Sequence, residues 1–90
     1  MTGLRDGYTN EQAAEVAGEI GLNLADAPFD IDQFRRGMEV ELEHGARDPA
    51  TNVTNDDPLV TGKIAWAHLR EFPDYYDRLA VMEAEAGEEP

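Results

Sequence analysis

Cysteine and serine are both missing from this 90-residue chain, and lysine occurs once, at Lys63. Without cysteine there can be no disulfide and no thiolate metal site. Without either residue, the commonest activated nucleophiles are excluded. Hydroxyls remain at Thr51, Thr54 and Thr61, but no base lies beside them in sequence. No glycine-rich phosphate loop is present. No apolar run approaches the ~20 residues a membrane span needs, and no charged-then-apolar leader opens the chain. The expectation is a protein that stays where it is made, off the membrane, unless it leaves as part of something larger.

Positive charge is scarce as well. Seven basic residues face 20 acidic ones, a formal charge of −13. A surface of that sign repels phosphate backbones, so direct nucleic-acid binding is not expected. Acidic helix exteriors keep small proteins soluble. An acidic, lysine-poor surface is also what a high-salt cell interior would select, although a GC-rich genome favours arginine over lysine too.

What is present is enough apolar residue, 41%, for one core, and 90 residues do not divide into two. Residues 1–90 are therefore read as a single all-α domain of four helices, with frayed ends at 1–8 and 87–90. Thr9 and Gln12 have capping-box spacing and Gly21 is a stop, which predicts a helix over about 10–20. Ala13, Val16, Ala17 and Ile20 form its inner stripe, and Glu11, Glu15 and Glu19 a ridge that must face water. A second box, Asp30 with Gln33, and a staple pair, Phe29 with Phe34, open a helix over 31–44, with Gly45 as a left-handed stop. Residues 46–57 are turn formers and make a long loop. Asp57 caps and Pro58 starts a third helix, about 58–71. Pro73 breaks the chain before a fourth, about 74–86, with Tyr75, Leu79 and Met82 inward. The expected core joins Phe34, Met38, Leu42, Ile64, Leu79 and Met82. Nothing alternates with period two, so no sheet is expected.

Two polar pairs sit on faces that should be apolar. On the second helix, Glu41 lies close to the stripe of Ile31, Phe34, Met38 and Leu42, and His44 lies beyond it, flanked by Val40 and Gly37. Glycine there permits a close approach by another backbone. On the third helix, His68 and Glu71 fall among Val60, Ile64, Ala67 and Phe72. Glu41-x-x-His44 and His68-x-x-Glu71 fit two chemistries. Two carboxylates and two imidazoles could converge on zinc, iron or manganese, as Glu-x-x-His pairs do in helix-bundle metal sites. Alternatively each histidine is held by a glutamate or by the hydroxyl of Tyr75 or Tyr76 in a buried polar network that fixes packing. His44 ends its helix at the loop, whereas His68 lies ~15 Å beyond Pro58. In a level hairpin the pairs do not meet, which favours the network, and no cofactor is expected.

Other signals are weaker. Asn55-Asp56-Asp57 lacks the spacing of a calcium loop and reads as a turn and cap. Asn52-Val53-Thr54 matches a glycosylation sequon without a secretory context. Trp66 lies off the Ile64 face, either packed on the first helix or presented to a partner.

The runs Gly37-Met38-Glu39-Val40-Glu41-Leu42-Glu43-His44-Gly45, Thr51-Asn52-Val53-Thr54 and Thr61-Gly62-Lys63-Ile64-Ala65 carry a resemblance. So do Ala67-His68-Leu69-Arg70-Glu71-Phe72-Pro73-Asp74-Tyr75-Tyr76 and Arg78-Leu79. Over Phe29 to Glu83 the chain resembles a small uncharacterised family of bacteria, archaea and their tailed viruses. The resemblance implies no activity, marks the two Glu/His pairs as signature positions, and points to a tailed-virus or provirus origin. The resulting expectation is a non-enzymatic structural or interaction module, virion-associated or in the host cytoplasm. Its partner would be another protein or a second copy of itself, with neither nucleic acid nor membrane. A metal-binding protein is the alternative. An acidic mimic of nucleic acid is a weaker one, because the glutamates are spread around the helices.

Overall fold

A computed structural model describes residues 7–87. Within them the chain forms four α-helices: α1 (Asn10–Ile20), α2 (Ile31–Glu41), α3 (Pro58–Glu71) and α4 (Tyr75–Gly87). Short 3₁₀ turns occupy Leu24–Asp26, Leu42–His44 and Pro49–Thr51, and there is no strand among the described residues.

The helix starts follow local chemistry. Thr9 accepts the Gln12 N–H at 3.0 Å and the Gln12 side chain accepts the Thr9 N–H at 2.9 Å, a complete capping box. Gly21 closes α1 in the left-handed region, at φ 84°. Asp30 accepts the Gln33 N–H, and Asp57 caps α3 behind Pro58. Asn23 caps the first 3₁₀ turn in the same way.

Gly45 departs from expectation. Its φ is −104°, not left-handed, and the end of the second helix tightens into the 3₁₀ turn Leu42–His44. The glycine is there for space: a β-carbon would collide with Asp56 Oδ1. That oxygen accepts the Ala46 N–H at 2.9 Å. Thr54, buried, accepts the Asp56 N–H at 3.1 Å, and the His44 carbonyl accepts from both Val53 and Thr54. Asn55 and Asp56 take the positive φ values, 53° and 62°. The loop's amides, hydroxyl and carboxylates thus bond the loop to itself.

The core joins Ala13, Val16 and Ala17 of α1 to Phe34 and Met38 of α2, Ala65 and Leu69 of α3, and Tyr76 of α4. Leu22 and Phe29 close it from the α1–α2 connection. Tyr8 packs on it too, and its N–H donates to Glu39 at 3.0 Å, so this residue is docked where a frayed end was expected. The rest of both terminal stretches, apart from Gly7 and Gly87, lies outside the described residues.

Two faces are rotated from those the apolar pattern suggests. α3 buries Thr61, Gly62, Ala65 and Leu69, while Ile64 is half-buried and Val60, Ala67 and Phe72 are exposed. The helix turns its small residues inward because they admit its neighbours. A β-carbon on Gly62 would stand 2.5 Å from Val16 Cγ1 and 3.4 Å from Phe34 Cζ. In α4 the buried residue is Tyr76; Tyr75 and Leu79 are half-buried, and Met82 is 58% exposed. Only the first turns of α4 touch the bundle, and Ala80 to Gly87 are exposed throughout.

Candidate functional site

The most strongly polar cluster of the interior lies where α2, α3 and α4 meet. Glu41 comes from the last turn of α2, His68 from α3, and Tyr75 and Tyr76 from the start of α4. Burying a carboxylate is expensive unless donors replace its water. Glu41 is 3% exposed, and two donors converge on one of its oxygens. The Tyr76 hydroxyl donates to Oε2 at 2.7 Å, and His68 Nδ1 stands 2.9 Å from the same atom. A carboxylate oxygen only accepts, so the geometry assigns a proton to Nδ1 of His68. Nδ1 also lies 3.1 Å from the Tyr76 oxygen, which closes a triangle of contacts.

Aromatic packing holds the triangle from outside. The Tyr75 ring stacks on His68, with centroids 4.3 Å apart and planes at 16°. Tyr75 in turn meets Tyr76 edge to face at 4.9 Å. Tyr76 reaches Glu41 because Gly37, one turn earlier on α2, has no side chain; a β-carbon there would overlap the tyrosine ring. The close approach permitted by Gly37 is thus used by a ring and not by a backbone. Burial pushes the Tyr76 phenol far above its ordinary pKa, and the hydrogen bond to Glu41, that residue's charge and Tyr75 add to the shift. The hydroxyl therefore stays a neutral donor.

A second tie fixes the first turn of α4. Arg36 Nη1 donates to Asp77 Oδ1 at 2.7 Å and Gln33 Nε2 to Asp77 Oδ2 at 2.9 Å. The hydrogen bond from Arg36, then that from Gln33, hold the Asp77 carboxyl below the usual carboxylate range. These partners are 41 and 44 residues apart, and no local pattern announces them. The amide oxygen of Gln33, Oε1, is buried and has no hydrogen-bond partner.

The four residues of the paired motif do not share one site. Glu41, in the last turn of α2, meets His68, which lies ~15 Å along α3 from its start at Pro58, so the two helices do not pair as a level hairpin. His44 Nε2 is 3.8 Å from Glu41 Oε1, beyond hydrogen-bond range, and the residue is exposed. Glu71 is also exposed at the end of α3 and takes no part; the rotation of α3 that buries Ala65 and Leu69 turns it to solvent. Among the described residues no group of three or more His, Asp or Glu side chains is placed to hold a metal ion. Trp66 is half-buried against the core, with the Arg70 guanidinium 5.8 Å from its ring centre.

Chemically, a carboxylate on Nδ1 orients His68 and leaves Nε2 as the ring nitrogen able to take a proton. Ser and Cys, the usual nucleophiles for such a base, are absent from the chain. No helix among the described residues is long and apolar enough to cross a membrane.

Residues 13–85 match a family described as a protein of unknown function (DUF5661), and the chain belongs to that family. No curated protein and no solved structure matches it.

Proposed function

We propose that this family member is a non-enzymatic structural or interaction module, and that Glu41, His68 and Tyr76 are an internal strut locking three helices together. The observation behind this reading is the convergence of both donors on one oxygen of a carboxylate that is 3% exposed. The two donors that reach its Oε2 are side chains of α3 and α4, so the carboxylate ties three helices together. Burial without partners would destabilise it, so its partners serve the fold.

The working surface is then the exterior. Its charge of −13 disfavours nucleic acid, which leaves a protein, either another chain or a second copy, as the proposed partner. Origin in a tailed virus or provirus, and a place in a virion or in the host cytoplasm, belong to the same proposal and draw on the sequence resemblance. Capsid and portal genes beside this one would support that part of it.

Metal analysis tests the reading. Protein purified without added metal is expected to carry no stoichiometric zinc, iron or manganese, and a chelator is expected to leave its melting temperature unchanged. A metal site makes the ion's binding energy part of the folding energy. About one ion per chain or per dimer, with a melt lowered by chelator and insensitive to it in His68→Ala, would overturn the proposal.

A further inference from the structure

α4 carries an apolar seam that the fold covers only in part. Tyr75, Leu79, Met82 and Ala86 recur at spacings of four, three and four residues, which places them along one side of the helix. Tyr75 and Leu79 are half-buried against the bundle. With Phe72, Arg78 and Met82 they line a shallow groove of about 210 Å³. Phe72 is 47% and Met82 58% exposed.

We propose that this seam pairs with the same seam of a second copy, as an antiparallel helix pair about a two-fold axis. The inference rests on the interaction-module reading and names its partner. A two-fold interface requires one patch to contain both members of every contact. This one does. The groove over Tyr75 and Leu79 would serve as the hole, and Met82, at its edge and 58% exposed, as the knob for the partner's groove. In the antiparallel register Leu79 faces Met82 of the partner subunit and Tyr75 faces Ala86 of the partner subunit.

Charge is self-complementary in the same register. Arg78 and Glu85 flank the seam on one side, seven residues apart, so Arg78 faces Glu85 of the partner subunit twice over. Arg78 uses Nε on Asp74 at 2.8 Å and its guanidinium lies 5.1 Å from the Phe72 ring centre, while its two terminal nitrogens make no hydrogen bond among the described residues. Glu85 makes no ion pair among the described residues. A parallel pair would set Met82 against Met82, leave both grooves unfilled and bring two strongly acidic bundles together at one end. The antiparallel pair keeps the bundles at opposite ends.

About two heptads make a small interface, so the association belongs to the weak class. Salt should tighten it by screening repulsion between the two chains.

Sedimentation equilibrium of the full chain, from micromolar to millimolar and in dilute and molar potassium chloride, tests this. A monomer–dimer equilibrium that tightens with salt is expected. Met82→Glu should weaken it at least roughly tenfold by placing a charge in an apolar contact. Because Met82 is exposed, its thermal melt should match the parent's. Arg78→Glu should weaken the dimer, and adding Glu85→Arg should restore it. A monomer under all conditions, or a dimer indifferent to Met82→Glu, would overturn the proposal. So would rescue of Arg78→Glu by Glu83→Arg and not by Glu85→Arg, the signature of a parallel pair. None of these outcomes bears on the metal analysis, which tests the underlying reading separately.

Discussion

The ring of Tyr76 occupies the space that a side chain on Gly37 would fill. This single contact explains why a helix tolerates a glycine in its middle. It also explains how a residue of α4 comes close enough to α2 to reach its carboxylate. Gly37→Ala should therefore destabilise the domain. Alanine gains about 1 kcal/mol of helix propensity over glycine, but overpacking typically costs about 1–3 kcal/mol. The Tyr76 hydroxyl would also leave Glu41, adding the penalty of an under-satisfied buried carboxylate. Urea denaturation should show a clear net loss; a gain in stability would mean that the ring is free to move.

Tyr76 should also resist ionisation. Its pKa is raised, first by burial and then by Glu41. A group with a folded-state pKa above its unfolded value stabilises fully below the unfolded value, about 10 for tyrosine, and loses that contribution as pH rises beyond it. Phenolate absorbance should show at least one tyrosine silent past pH ~10 and released only together with loss of helical circular dichroism. Tyr76→Phe should remove that coupled step. Smooth titration of all tyrosines in a folded protein would contradict the burial of this hydroxyl.

The −13 charge makes a separate prediction. Glu11, Glu15 and Glu19 are exposed in a row on α1, as their spacing requires. Repulsion among such groups weakens the compact state until salt screens it. If the surface is adapted to a salty interior, the melting temperature should climb substantially from dilute buffer to molar potassium chloride. A flat response would leave only an acidic protein whose surface is tolerant of its own charge.

How much of this could be read from the chain depended on the range of the interaction. The caps at Thr9, Asp30 and Asp57 are contacts between residues two or three apart, so their spacing is visible in the sequence and the helix starts follow from it. All four residues of the two Glu/His pairs read as polar groups on inward faces, with Tyr75 and Tyr76 as candidate hydroxyls. The fold keeps Glu41, His68 and Tyr76 together and turns His44 and Glu71 to solvent, which helical spacing alone does not distinguish. The face of α3 differs from its apolar pattern for another reason. Its deepest positions, Thr61, Gly62 and Ala65, are small, and hydrophobic patterning gives weight to large residues such as Val60 and Phe72, which the fold exposes. Gly45 illustrates the same limit, because its role depends on Asp56, eleven residues away across a loop.

The energetic coupling between His68 and Tyr76 tests the strut most directly. Urea denaturation of the parent, His68→Ala, Tyr76→Phe and the double variant yields it as the departure from additivity. For a strut, both single changes destabilise, His68→Ala by about 1–3 kcal/mol or more, because each leaves Glu41 buried with a donor missing. The two changes should then couple by roughly 0.5–3 kcal/mol, the range expected of residues in one hydrogen-bond network. A His68→Ala variant as stable as the parent or more so, with coupling below about 0.5 kcal/mol, would contradict the account and favour the alternative in which these residues are held at a cost to the fold for binding a metal.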